Sequence, residues 1–284
     1  MKRPGPPSEG KMKMKRKSIE KPRPLVALLT DFGNRDWFVA SMKGVIKSIA
    51  PKTDIVDITH DIPRQHPASA SFVLESCRSD FPEGTVFCSV VDPGVGTDRK
   101  RLVATDGLYF YIAPDNGLLT GIESRAETFL AWEIVNPEFM LEGKGATFEG
   151  RDVFAPAAAH LTAGVSPEQF GPLCKNIILL EPEIPGAAGK NKIRGRVVYI
   201  DAFGNLITNI TPEDLPSKRN EKEWTVTIKR RRINGLKRGF EEADPGKLLV
   251  YTGSTGRLEI AANRANAAKI LDARVGTTVT LTYR

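Results

Sequence analysis

LVALLTDFG (residues 25–33) and TVFCSVVDPGVGTDR (85–99) decide the fold. Each opens as a short, unbroken apolar run and stops at an aspartate followed by a glycine within two residues. A run without polar alternation suits a strand covered on both faces, as in a parallel sheet. Between the two runs the pattern changes period. Phe38, Met42, Val45, Ile46 and Ile49 recur at helical spacing, Asp36 stands where it can cap that helix, and Pro51 stops it. Asp54–Thr59 reads as a second buried strand. Pro67 suits a first helical turn, and residues 68–78 continue as a helix before the third strand, Thr85–Val91. Strand, helix, strand, helix, strand predicts a mainly parallel sheet between layers of helix, an α/β/α sandwich. Arg101–Thr105 and Leu108–Ile112 flank Asp106-Gly107, a hairpin signature, and Phe154–Leu161 reads as an alanine-rich helix.

The style changes near residue 181. Residues 181–195 (EPEIPGAAGKNKIRG) are rich in Pro, Gly and Lys and read as a linker. Short strands separated by turn residues follow at 195–200, 205–210, 224–229, 248–252, 257–261 and 277–283, the pattern of a small β-barrel or sandwich. The expected organisation is therefore a tail (1–24), an α/β domain (25–180), a linker (181–195) and an all-β domain (196–284).

Composition narrows the chemistry. Of 284 residues, 40% are hydrophobic and 26% charged, ordinary globular usage that excludes collagen-like, coiled-coil and fully disordered classes. No apolar run approaches the ~18 residues of a membrane span. Three irregularly spaced cysteines (Cys77, Cys88, Cys174) build neither a disulfide framework nor a CxxC metal site and point to a reducing, cytoplasmic setting. With only three histidines (His60, His66, His160), no metal centre is expected. The net charge of +7 belongs entirely to residues 1–24, where nine Lys/Arg face two acids, while the rest of the chain balances. Nucleic-acid binding would thus rest on the tail alone, and that proline-rich tail has no apolar core of a secretory signal.

In open α/β sheets ligands bind beyond the carboxyl ends of the strands, which singles out Asp31 and Asp92, although a lone Asp there also serves as a cap or turn former. The segment after Asp92 is richer. Pro93 and Gly94 force a turn, Gly94 and Gly96 let backbone N–H groups approach a ligand, and Arg99 lies seven residues on, near enough to fold back onto Asp92. The P-loop pattern is absent and the dinucleotide fingerprint lacks its third glycine. In TFEGRDVFAP (147–156), Asp152 suits a helix N-terminus and Arg151 can pair with it, whereas Glu149 falls outside the helix. In YIDAFGNLITNI (199–210), Asp201, Phe203 and Asn205 offer a carboxylate, a flat apolar face and an amide, suited to an amino group and a purine or simply to a polar β-turn.

LTDFG (29–33), MKGVI (42–46), IVDITHDI (55–62), VVDPGVGTDR (90–99), APDNGLL (113–119), TFEGRDVFAPAAAHL (147–161) and IDAFGNLITNI (200–210) occur in this order. With them, residues 25–284 resemble the adenosine-forming S-adenosylmethionine hydrolase family, relatives of fluorinating and chlorinating enzymes. The resemblance implies an N-terminal α/β domain, a C-terminal β-barrel and a homotrimer whose active sites lie between the α/β domain of one subunit and the barrel of the next. Carried over by position, Asp31 would hold the ribose hydroxyls, and Asp92 and Arg99 would be catalytic. Asp201 and Asn205 would hold the methionine amino group and the adenine, with Ser254 of TGSTGRLEIA (252–261) touching substrate. Asp36, Gly150, Phe203, Thr255 and Asn263 complete the implied substrate-binding set. S-adenosylmethionine would be the substrate, with no cofactor. Halogenating relatives lack the Asp–Arg pair, so its presence implies water as the nucleophile.

One departure stands out. The histidine of the family's TFHGRD segment is Glu149 here, and no other histidine replaces it in sequence. Glu149 would give the site one more negative charge, acting as a second acceptor for the water or pairing with Arg99 or Arg151 and blunting hydrolysis. Two other functions remain open: a methyltransferase, since VVDPGVGT loosely resembles the first motif of Rossmann methyltransferases, and a catalytically weak S-adenosylmethionine-binding protein.

Overall fold

The computed structural model describes residues 24–142, 147–181, 184–214 and 224–283, so the predicted basic tail, apart from Pro24, lies outside the described residues. The first sheet contains β1 (Leu25–Thr30), β2 (Asp54–Thr59), β3 (Val86–Val90), β4 (Arg101–Thr105), β5 (Phe110–Pro114) and β6 (Leu130–Glu133) in the order β2-β1-β3-β5-β4-β6. β2, β1, β3 and β5 run parallel; β4 alone runs the other way, antiparallel to both β5 and β6. The apolar run of β1 is explained by burial on both sides. Val26 and Leu28 join a core with Met42 and Ile46 of α1 (Phe38–Ile49) and the alanines of α4 (Ala155–Thr162). Ala27 and Leu29 join a second core with Ala70 and Leu74 of α2 (Pro67–Cys77) and with Ile122 of α3 (Thr120–Glu123). The predicted helical layers on both faces are thus present.

Two local expectations need correction. β2 is not a buried strand: it forms the sheet edge, paired only with β1, and Asp54, Val56 and Asp57 are exposed. Asp36 does not cap α1. Helical backbone begins at Phe38, the cap position is Trp37 with no side-chain hydrogen bond, and Asp36 falls one residue too early. The start of α2 matches expectation, with Pro67 in the first turn; His66 caps it through Nδ1, which accepts from Ser69 N at 3.1 Å.

The second sheet is antiparallel throughout and nearly closes into a barrel. It comprises β7 (Gly186–Ala187), β8 (Lys192–Ile200), β9 (Leu206–Thr208), β10 (Thr225–Ile228), β11 (Arg231–Asn234), β12 (Leu248–Thr252), β13 (Leu258–Ala262) and β14 (Thr278–Thr282). Its order is β11-β10-β14-β8-β9-β13-β12, with β7 beside β8, and β11 returns against β12. A helical turn, α5 (Ala267–Leu271), packs Leu271 into the barrel core. The segment expected as linker already contains β7 and the start of β8. Ile193, Gly195 and Val197 alternate inward there between exposed Lys192, Arg194 and Arg196, a period-two pattern hidden by the Gly/Lys composition. The two domains touch where Phe72 of α2 stacks on Tyr199 of β8, ring centroids 5.2 Å apart. Among the described residues no helix is long and apolar enough to cross a membrane.

Candidate active site

β1 and β3 are neighbours, and Thr30 pairs in register with Val90. The segments carrying Asp31 and Asp92 therefore leave the sheet side by side, at the strand ends where open α/β sheets bind ligands. After Asp92 the chain turns sharply: Gly94 N donates to Asp92 Oδ1 at 3.1 Å, and Thr97 Oγ1 donates to Gly94 O at 2.7 Å. Gly96 takes φ +80°, a conformation costly for other residues. The turn sends Arg99 back onto Asp92, with Nε 2.9 Å from Oδ1 and 2.8 Å from Oδ2 and Nη2 also bonding Oδ2. This is the pairing that the seven-residue spacing predicts.

A second carboxylate reaches the same guanidinium. Glu149 precedes a π-helical turn, Gly150–Phe154, that leads into α4, and its Oε2 accepts from Arg99 Nη2. Its Oε1 lies 3.4 Å from Arg101 Nη1. Arg151 is not its partner: that side chain closes on Asp152, Nε to Oδ1 at 2.6 Å and Nη2 to Oδ2 at 2.9 Å. The Asp92 and Arg99 side chains are only 6% and 7% exposed, and the Arg99 guanidinium lies 5.6 Å from the Phe154 ring centroid. Burial works against the Arg99 charge, but the Asp92 and Glu149 carboxylates outweigh it and hold its pKa above the ordinary value. Arg99 Nη1 is buried without a protein partner.

Asp31, Asp92, Glu149 and Gly150 line one cleft of about 190 Å³, walled by Phe32, Phe38, Phe148 and Phe154. Gly150 is fitted tightly under this wall, since a Cβ there would lie 3.1 Å from Phe32 and 3.2 Å from Phe148. Asp31 has one oxygen, Oδ2, engaged by Gln65 N at 2.8 Å.

Asp201, Phe203, Asn205, Ser254 and Thr255 line a different, larger cleft of about 1010 Å³ between the barrel and the Phe72 face of α2. Asp201 Oδ1 accepts from Phe203 N (2.9 Å) and Asn205 N (2.8 Å), and Oδ2 accepts from Asn205 Nδ2 (2.8 Å). This turn, made possible by Gly204 at φ +86°, leaves Phe203 78% exposed. Sequence reasoning missed Tyr251 and Glu259 in this cleft: Tyr251 Oη donates to the buried Glu259 Oε2 at 2.6 Å. Burial pushes the Glu259 carboxyl up, the Asp201 charge adds to this, and the Tyr251 bond opposes it. The available signal was a lone acid inside the apolar strand LEIAA.

The expected site residues thus fall into two groups that share no lining residue within one chain. Two join neither. Asp36 is exposed, and Asn263 spends its Nδ2 on Ala243 O at 2.6 Å. No histidine lines the Asp92 cleft. Among the described residues no group of three or more His, Cys, Asp or Glu is arranged to hold a metal ion.

Comparison with known proteins places these features in a family. Residues 26–171 match the SAM hydroxide adenosyltransferase N-terminal domain, and residues 195–280 match the corresponding C-terminal domain. The chain is 38% identical to the (R)-S-adenosyl-L-methionine hydrolase of Thermus thermophilus, covering 90% of this chain and 98% of that one. It is 31% identical to a fluorinase of Nocardia brasiliensis, covering 90% and 96%. A crystal structure of a conserved protein from Thermotoga maritima superposes with a TM-score of 0.84 at 36% identity, covering 90% of this chain and 99% of that one.

Proposed function

The chain belongs to the SAM hydroxide adenosyltransferase family, and on that premise we propose that it hydrolyses S-adenosyl-L-methionine to adenosine and L-methionine. The observation that carries this reading is the Asp92–Arg99 ion pair at the carboxyl end of the central strands. A water oxygen attacks the ribose C5′, the C5′–S⁺ bond breaks, and methionine leaves as a neutral thioether while one proton is released. The sulfonium is already a good leaving group, so the protein's work is confined to the water. Asp92 accepts a hydrogen bond from it and orients it, and the positive charge of Arg99, held directly behind Asp92, answers the negative charge growing on its oxygen. Holding water and sulfur on opposite sides of C5′ supplies the remainder. Glu149 is a second carboxylate of the reacting centre, already engaged by Arg99.

Asp31 holds the ribose hydroxyls, Asp201 and Asn205 the methionine amino group and the adenine, with Phe203, Ser254 and Thr255 beside them. The two groups line separate clefts of one chain, which suits the homotrimer that the family resemblance implies, in which the Asp92 cleft of one subunit meets the Asp201 cleft of the next. No cofactor takes part, and three free cysteines suit a cytoplasmic enzyme. Incubation with S-adenosyl-L-methionine and chromatographic separation of the products tests the reading. Adenosine and methionine are expected; S-adenosylhomocysteine would mean a methyltransferase, and no turnover a binding protein.

A further inference from the structure

Glu149 creates an electrostatic problem at the centre just described. Arg99 Nη2 donates to both Asp92 Oδ2 and Glu149 Oε2, so two carboxylates compete for one guanidinium. Alone, these three side chains carry one surplus negative charge in a site where burial leaves little water to screen it. Such a site resists a second ionised carboxylate and the hydroxide character that develops on the attacking water.

Arg101 supplies the missing charge. It is the first residue of β4, two positions beyond Arg99, and its Nη1 approaches the other oxygen of Glu149, Oε1, at 3.4 Å. The Glu149 carboxylate is therefore held from both ends by different guanidinium groups. Charges alternate along Asp92, Arg99, Glu149 and Arg101, and the set is neutral. Among the described residues, the remaining charged groups around Glu149 offer no substitute. On its own turn, Arg151 and Asp152 close on each other. Across the cleft, beyond β1, Asp31 adds another negative charge. Phe148 and Phe154 are uncharged. The Arg101 side chain is 31% exposed, but its Nε is buried and without a partner, so the group is seated against the site.

We propose that Arg101 is a positioning residue for this reaction: it neutralises Glu149 and fixes that carboxylate's orientation, which allows a glutamate to stand where the family resemblance puts a histidine. The proposal rests on the hydrolytic reading. Its test is a cycle of full-length parent, Arg101→Gln, Glu149→His and the double variant, with Arg101→Lys as the conservative control. Adenosine release is followed against pH, and thermal melting against pH is recorded for all of them.

Arg101→Gln is expected to lower kcat roughly tenfold with little change in KM. The loss should disappear in the Glu149→His background, and Arg101→Lys should recover part of it. Melting should show the same coupling, with Arg101→Gln costing more beside Glu149 than beside histidine. Equal losses in both backgrounds, or a loss confined to KM, would overturn the proposal while leaving hydrolysis intact. A parent that releases no adenosine at any pH would instead remove the hydrolytic reading and this proposal with it.

Discussion

Both carboxylate oxygens of Asp92 lie within 3 Å of Arg99 Nε, at 2.9 and 2.8 Å, although seven residues separate the two along the chain. The turn between them exists to make this contact, and the pair sits almost out of solvent with both side chains under a tenth exposed. Such a pair is easier to break than to replace, since removing one partner strands the other's charge.

Asp92→Asn should cut adenosine release by roughly 10²–10⁴-fold, the usual scale for losing a group that handles the reacting proton. Steady-state kinetics on a variant with unchanged circular dichroism makes the comparison, and a loss under tenfold would place the chemistry elsewhere. Arg99→Met should destabilise the chain by about 3 kcal/mol in urea unfolding, because two carboxylates lose their common cation. The raised Arg99 pKa means its contribution is fully present below the ordinary arginine value and is lost only as pH rises through the folded value. The stability gap between parent and variant should therefore stay flat from about pH 6 to 9.

Complementation should reveal how the two clefts are used. Asp92→Ala and Asp201→Ala are each expected to be inactive alone. Co-expressed in one cell, they should regain part of the activity, because a mixed oligomer can join an intact Asp92 cleft to an intact Asp201 cleft. Silence in the mixture, with mixed oligomers demonstrated by mass spectrometry, would mean that each site is built within one chain.

Gly204→Ala tests the Asp201 turn. The backbone there has φ +86°, and a Cβ would come within 2.1 Å of Cγ of Asn266, whose Oδ1 caps α5 by accepting from Lys269 N at 2.7 Å. Left-handed strain and overlap together should cost about 2–4 kcal/mol in urea unfolding. KM should rise as well, since Asp201 and Asn205 sit on the same turn. An unchanged midpoint would show that the turn is not built this way.

His160 gives a pH signature outside the site. Its ring packs on Phe139, centroids 5.1 Å apart, and burial pulls its pKa below the ordinary value. The unfolded chain then binds the proton more readily than the folded one, so stability falls as pH drops below the ordinary histidine value and levels off under the folded one. Melting temperatures should decline less between about pH 7 and 5 in His160→Gln than in the parent. Parallel curves would remove His160 as a contributor.

Much of this architecture could be read from local pattern. A strand buried on both faces must be apolar at every position, so Leu25–Thr30 and Thr85–Val91 announced a parallel sheet, and the aspartates at their ends announced the cleft that both line. The hairpin around Asp106-Gly107 is present as expected, with Gly107 at φ +88° and Asp106 Oδ1 accepting from Leu108 N and Tyr109 N. Legibility failed where composition masked period, as in β7, in the start of β8 and in β11, whose Arg231, Arg232 and Asn234 surround a single buried Ile233. It failed again for Asp54–Thr59, because a strand's own sequence does not state whether a neighbour lies on its far side.

By itself the sequence determined the alternation of the first three strands with α1 and α2, the strand-end aspartates and the Asp92–Arg99 pair, because each depends on spacings of a few residues that backbone geometry translates directly into position. Only the tertiary structure decided what Glu149 does. Its partners stand 50 and 48 residues away, and their meeting depends on α4 packing across β1 and β3. Whether that extra carboxylate meets one cation or two is a matter of ångströms set by the packed core, and Coulomb energy at short range in a water-poor site depends on those distances more than on the identity of the residues.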